Sequence, residues 1–112
     1  MDDDAVERLY RAVLSRRGAP SASSRTAKLL AAGRAKMAQK LGEEAIEVAI
    51  DAMRGDRAAV VAESADVMYH LVVLWTEMGI APGDVWAEMA RREAMQGIAE
   101  KLPKEPPESR RA

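Results

Sequence analysis

Four carboxylates set the chemistry open to this sequence: Glu44 with Glu47, then Glu63 with Asp66, each pair spaced i,i+3. That spacing puts both side chains of a pair on one face of a helix. Between the pairs, Arg54-Gly55-Asp56 breaks the helical pattern. Gly55 suits the left-handed position that closes a helix, and Asp56 suits the cap of the next one. Counted from this turn, Glu47 lies about as far before it as Glu63 lies after it, and Glu44 matches Asp66 one turn further out. An antiparallel hairpin therefore brings Glu47 level with Glu63 and Glu44 level with Asp66.

The surroundings of these acids matter as much as their spacing. On the second helix Val60, Val61, Val67, Met68, Leu71, Val72, Val73, Leu74 and Trp75 cover nearly the whole circumference, leaving Glu63, Asp66 and His70 as a polar line. The first helix carries Leu41, Ile46, Val48, Ile50 and Met53 on its apolar side and Lys40, Glu44, Glu47 and Asp51 on its polar side. Converging carboxylates repel one another and raise some of their pKa values. A hard divalent cation such as Mg²⁺ offsets that repulsion, because it takes oxygen ligands and keeps some waters. The plainer alternative makes these acids the wet face of an amphipathic bundle. Glu43, about a quarter turn from the Glu44/Glu47 face, could reach the metal, hold a water or be solvated. Asp51 is a weaker candidate because it sits closer to the hairpin tip.

Upstream lies a basic cluster of Arg25, Lys28, Arg34, Lys36 and Lys40. A cationic rim beside a carboxylate centre is what a phosphate-rich substrate needs; otherwise it is solvated surface. No serine, threonine or cysteine is set beside a base as a nucleophile. The economical reaction is metal-assisted attack of water on a phosphoanhydride, with Glu44 or Glu47 orienting or deprotonating the water. One ion or two would fit these acids. His70, one turn beyond Asp66, could hydrogen-bond a ligating carboxylate or contact substrate, or be a satisfied structural residue. Tyr69 and Trp75 read as core or interface residues facing elsewhere.

The chain that must position these groups has 112 residues, enough for one domain with a modest core. Its 17 lysines and arginines balance 18 acidic residues, so there is no bulk electrostatic case for nucleic acid or an anionic membrane. Without cysteine and with one histidine, thiolate chemistry is excluded and a histidine-rich zinc site is disfavoured. No apolar run approaches the length expected of a membrane span. The acidic start is the opposite of a basic signal-peptide n-region, so a cytoplasmic location is expected.

Helical spacing predicts elements over residues 2 to about 17, from near Thr26 to a break at Gly33, from about 34 to 54, from 56 to 77, and from 82 to about 95. Gly18 to Ser24 reads as a polar linker, and Gly97 as the end of the last helix. Residues 1–102 then form one all-α domain, with 103–112 a flexible proline-rich tail. The apolar cover of the 56–77 helix exceeds what a small monomer can hide, so a homodimer completing the bundle is expected.

The ordered pair of motifs, ExxE at Glu44/Glu47 and ExxD at Glu63/Asp66, resembles the signature of the all-α nucleotide pyrophosphohydrolase superfamily that includes MazG proteins. The likeness is closer to one branch, the phosphoribosyl-ATP pyrophosphohydrolases of histidine biosynthesis. SRTAKLLAAG (24–33) resembles that branch's substrate-side motif. KMAQKLGEEAIEVAI and ESADVMYHLVVLW resemble its two central helices, and the similarity runs from about Leu9 to Lys101.

The resemblance implies a MazG-like bundle of four to five helices and a cytoplasmic homodimer. It implies Mg²⁺-dependent hydrolysis of 1-(5-phosphoribosyl)-ATP to 1-(5-phosphoribosyl)-AMP and pyrophosphate, the second step of histidine synthesis. Metal ligation by Glu44, Glu47, Glu63 and Asp66 is implied too, with Lys28, Lys36 and Lys40 facing phosphates and Arg25 and Thr26 near substrate. One stretch departs from the pattern: RREAMQGIAEK carries Gln96 where a serine is usual. Two rival readings share the residues. One is a housekeeping pyrophosphohydrolase of nucleoside triphosphates with the same metal site. The other is a non-catalytic helical module whose apolar helix docks a partner.

Overall fold

Short polar side chains decide where the helices begin. Asp4 accepts a hydrogen bond from the Glu7 amide at 2.7 Å, Ser24 from the Ala27 amide at 2.9 Å, and Asp56 from the Ala59 amide at 3.1 Å. Each thereby satisfies an amide that the first turn leaves unpaired. In the computed structural model, which describes residues 4–96, these caps start α1 (Ala5–Leu14), α2 (Arg25–Ala32) and α4 (Arg57–Glu77). The remaining helices are α3 (Arg34–Met53) and α5 (Pro82–Gln96). No strand occurs among the described residues, so the fold is the expected all-α bundle.

The first helix stops short of the expected residue 17. The Ser15 hydroxyl donates to the Ala12 carbonyl at 2.6 Å, and the Arg16 and Arg17 amides bond three residues back. The chain therefore tightens into a turn instead of continuing the α pattern. The following linker contains a 3₁₀ turn at Ser21–Ser23. The expected helix end at Gly97 and the tail fall outside the described residues.

The chain divides into two compact units after Pro82. In the first, α3 and α4 form an antiparallel hairpin with the most extensive packing in the unit, and α1 and α2 add to it. Met37, Val72 and Val73 retain no exposed surface, and Val13, Ala27 and Trp75 complete the buried apolar set. In the second unit Glu88 accepts from Arg91 at 2.7 and 2.9 Å and from Arg92 at 2.9 Å, which holds its carboxyl down at about 2. Met89, on the same helix, is exposed.

Two glycines shape the first unit. Gly33, at φ 99° and ψ 169°, ends α2 and begins α3, so the basic cluster is split between two helices. Gly55, at φ 71°, closes α3: its amide bonds the Ala52 carbonyl and the Asp56 amide bonds the Asp51 carbonyl. This is the Schellman pattern, and Asp56 then caps α4. A Cβ at Gly55 would meet nothing within 4 Å, so only backbone strain opposes it. Gly55→Ala is expected to lower stability by about 1–2 kcal/mol, read as a shift in urea midpoint with an unchanged slope.

The expectation that no apolar run is long enough to span a membrane is corrected by α4. Its 21 residues are sufficient by length and composition. Its carboxylates and its packing against α1, α2 and α3 give it another role, as the bundle's central helix.

Candidate active site

The hairpin brings three of the four expected acids together. One ligand oxygen each from Glu44, Glu63 and Asp66 falls within 4.8 Å of the other two. Glu63 is the innermost: its Oε2 is buried and has no hydrogen-bond partner in the protein. Burial pushes the Glu63 carboxyl above the usual range, and the charges of Glu47, Glu44 and Asp66 push it further. Glu47 is exposed and lies outside the tight trio, yet it is near enough for its charge to act on Glu63. An orphaned buried oxygen amid like charges is poorly placed unless a cation joins it. A donor set made only of carboxylate oxygens suits a hard divalent ion such as Mg²⁺.

Beside the acids lies a cleft of about 280 Å³ lined by Arg25, Lys28, Leu29, Ala32, Lys36, Lys40 and His70. Five residues expected at substrate thus line one cavity, with Arg25 and Lys28 contributed by α2, Lys36 and Lys40 by α3, and His70 by α4. His70 is 3 % exposed and its Nδ1 has no partner. Burial holds its pKa below the ordinary value. Glu44 and Asp66 pull the other way, while Lys40 and Arg25 reinforce the effect of burial. The imidazole therefore lines the cationic wall while feeling the charges of Glu44 and Asp66.

Glu43 does not line the cleft. It accepts from Gln39 at 2.9 Å and pairs with Lys40 at 3.7 Å, and the Gln39 bond leads in lowering its pKa. Arg34 likewise pairs with Glu77 at 3.7 Å.

Thr26 also lies off the cleft lining, and its hydroxyl is engaged with the Tyr69 hydroxyl at 2.6 Å. Tyr69 was expected to face elsewhere. It instead reaches α2 and sets its ring edge-on to His70, 4.9 Å between centroids. Its place four residues before the apolar Val73 suggests packing, and no local pattern marks a partner 43 residues away.

A helical hairpin that gathers carboxylates beside a cationic cleft is the arrangement expected of the all-α nucleotide pyrophosphohydrolases that the sequence resembles. Residues 6–93 match the family model for phosphoribosyl-ATP pyrophosphohydrolase. The chain is 60% identical over 101 residues to phosphoribosyl-ATP pyrophosphatase 2 of Rhodopseudomonas palustris, covering 90% of this chain and 77% of the relative. It is 62% identical over 101 residues to the protein of the same name from Bradyrhizobium diazoefficiens, covering 90% and 75%. It is 54% identical over 96 residues to phosphoribosyl-ATP pyrophosphatase of Azospirillum brasilense, covering 86% of each chain. The chain belongs to the phosphoribosyl-ATP pyrophosphohydrolase family.

Proposed function

We propose that this chain hydrolyses 1-(5-phosphoribosyl)-ATP to 1-(5-phosphoribosyl)-AMP and pyrophosphate, with Mg²⁺, as the second step of histidine synthesis. The observation that supports the reading is buried His70, which lines the cationic cleft and feels the charges of Glu44 and Asp66, so that acids able to hold a metal adjoin a cleft able to take phosphates.

Glu44, Glu63 and Asp66 would hold Mg²⁺, with Glu47 joining from the rim. Bound there, Mg²⁺ offsets charge on the phosphates and favours departure of pyrophosphate. Lys28, Lys36 and Lys40 bind and orient the phosphates, and Arg25 adds a planar donor for one of them. Glu44 or Glu47, as a carboxylate, accepts the proton of the attacking water. The water oxygen bonds to phosphorus as the α–β phosphoanhydride breaks, and no covalent enzyme intermediate is needed.

The active form in this reading is a homodimer. On the hairpin Ile46, Ile50, Met53 and Val61 are 63, 45, 88 and 58% exposed. Only 22% of the most apolar stretch of α4 is buried within one chain. A polyanionic substrate does not cross a membrane unaided, so the reading also includes a cytoplasmic location.

The test is pyrophosphate release from phosphoribosyl-ATP, ATP and dATP, with Mg²⁺ or EDTA, on the wild type and Glu47→Gln. Preference for phosphoribosyl-ATP, lost in EDTA and reduced at least tenfold in the variant, is the expected outcome. Preference for a plain nucleotide would move the chain's activity to general triphosphate hydrolysis. No Mg²⁺-dependent release from any of them would overturn the enzymatic reading.

A further inference from the structure

We propose that Tyr69 is a positioning residue: its hydrogen bond to Thr26 fixes the cationic wall of α2 against the substrate cleft. The inference rests on the reading that this cleft takes the substrate's phosphates.

The helix that carries Arg25 and Lys28 is capped by Ser24 and packs on α3, but its other ties to α4 are few. It has eight residues, too few to be stable alone. Its only fully buried side chain is Ala27, and burying a methyl contributes little. At its C-terminal end, Gly33 has a φ of 99° and no capping side chain follows for α3. Against this, the 2.6 Å bond between Thr26 and Tyr69 is partly buried, where water competes poorly.

The two ends of that bond are placed to matter. Thr26 is adjacent to Arg25 and within one helical turn of Lys28. Tyr69 is adjacent to His70 and one turn from Asp66, on the helix that carries half of the acidic set. One hydrogen bond thus joins the helix bearing cations to the helix bearing carboxylates. Tyr69 does not itself line the cleft; its hydroxyl acts through α2, while its ring, edge-on to the cleft-lining His70, is kept in a Tyr69→Phe variant. The acids stand on α3 and α4, and they keep their places whether or not α2 is tethered.

The expected signature is a split between binding and chemistry. Tyr69→Phe removes one hydroxyl and keeps the ring. It should raise KM for phosphoribosyl-ATP about three- to tenfold, the span of one lost hydrogen bond, with kcat within about twofold of wild type. Thr26→Val should do the same, the double variant should add nothing further, and Thr26→Ser should restore the wild-type KM. Assayed well below the unfolding midpoint, a merely structural loss would leave KM unmoved.

Lys28→Gln separates the two readings. If it raises KM while Tyr69→Phe does not, the tether is overturned and the phosphate cleft stands. If neither Lys28→Gln nor Arg25→Gln changes KM, the phosphate cleft fails and the tether fails with it. Additive effects in the double variant, or a fall in kcat equal to the loss in kcat/KM, would also overturn the proposal.

Discussion

Glu63→Gln is expected to remove at least about 99% of pyrophosphate release, on the scale of deleting a preorganised charge from an active site, while making the metal-free protein more stable. Both halves follow from one geometry. Glu63 holds a buried oxygen with no protein partner, and three neighbouring carboxylates act on it. In the metal-free chain its charge is desolvated and repelled, so replacing it by a neutral amide of the same shape relieves the cluster. With Mg²⁺ present the sign reverses, because the amide lacks the charge that an oxygen-ligated cation needs.

Thermal unfolding of both proteins, with EDTA and with Mg²⁺, reads this directly. The variant should melt above the wild type in EDTA, and the upward shift that Mg²⁺ gives the wild type should shrink or vanish. A variant that melts lower in EDTA would show that Glu63 is held by interactions the acidic trio does not contain. A full Mg²⁺ response with lost activity would place the ion elsewhere and leave Glu63 a different task. Such a gain in stability at the expense of function is common where an active site is built from strained charge.

Much of this site could be read from residue order because its determinants are local. The turn at Gly55 fixes the hairpin registry, and i,i+3 spacing fixes the acidic faces, so the gathering of Glu44, Glu63 and Asp66 follows from short-range rules. Position along the chain also placed Arg25, Lys28, Lys36 and Lys40 near the acids, and the break at Gly33 turns that cluster into two walls of one cleft. What escaped the sequence depends on packing across elements. Glu47 exerts the largest of the neighbouring charges on Glu63, as the hairpin registry implies, yet it is exposed and stays outside the trio whose oxygens converge, and i,i+3 spacing alone does not separate these two outcomes.

Tyr69 escaped for a related reason. A tyrosine on an apolar helix reads as packing, and only the approach of α2 supplies a hydroxyl for it to meet. His70 was open between structural and functional readings. Its burial supports the first and its unpartnered nitrogen beside the cleft supports the second, so the two were never exclusive. The end of α1 was misplaced because Ser15, a residue with no strong helical preference, turns its hydroxyl onto the Ala12 carbonyl.

The other large effect concerns the apolar face of the hairpin, where Ile46→Asp with Ile50→Asp is expected to convert a dimer to monomers. Ile46 and Ile50 lie one turn apart on α3 and, with Ala49 and Met53, line a shallow apolar groove of about 380 Å³. Each isoleucine keeps roughly half its surface in the single chain. Covering the remainder recovers about 1 kcal/mol per side chain, and a two-fold interface counts every substitution twice. The four lost contacts therefore weaken association by about 4 kcal/mol, and burying four carboxylates in their place adds a penalty of the same order or more. Since about 1.4 kcal/mol is a tenfold change in Kd, a micromolar dimer would be driven far into the monomer range. Light scattering during size exclusion should give the wild type about twice the 12.2 kDa of one chain and the variant about that mass. A wild type that elutes as a monomer at every concentration would refute the dimer. It would then fall to the protein to keep α4's exposed apolar surface soluble without a partner, which that helix's composition makes unfavourable.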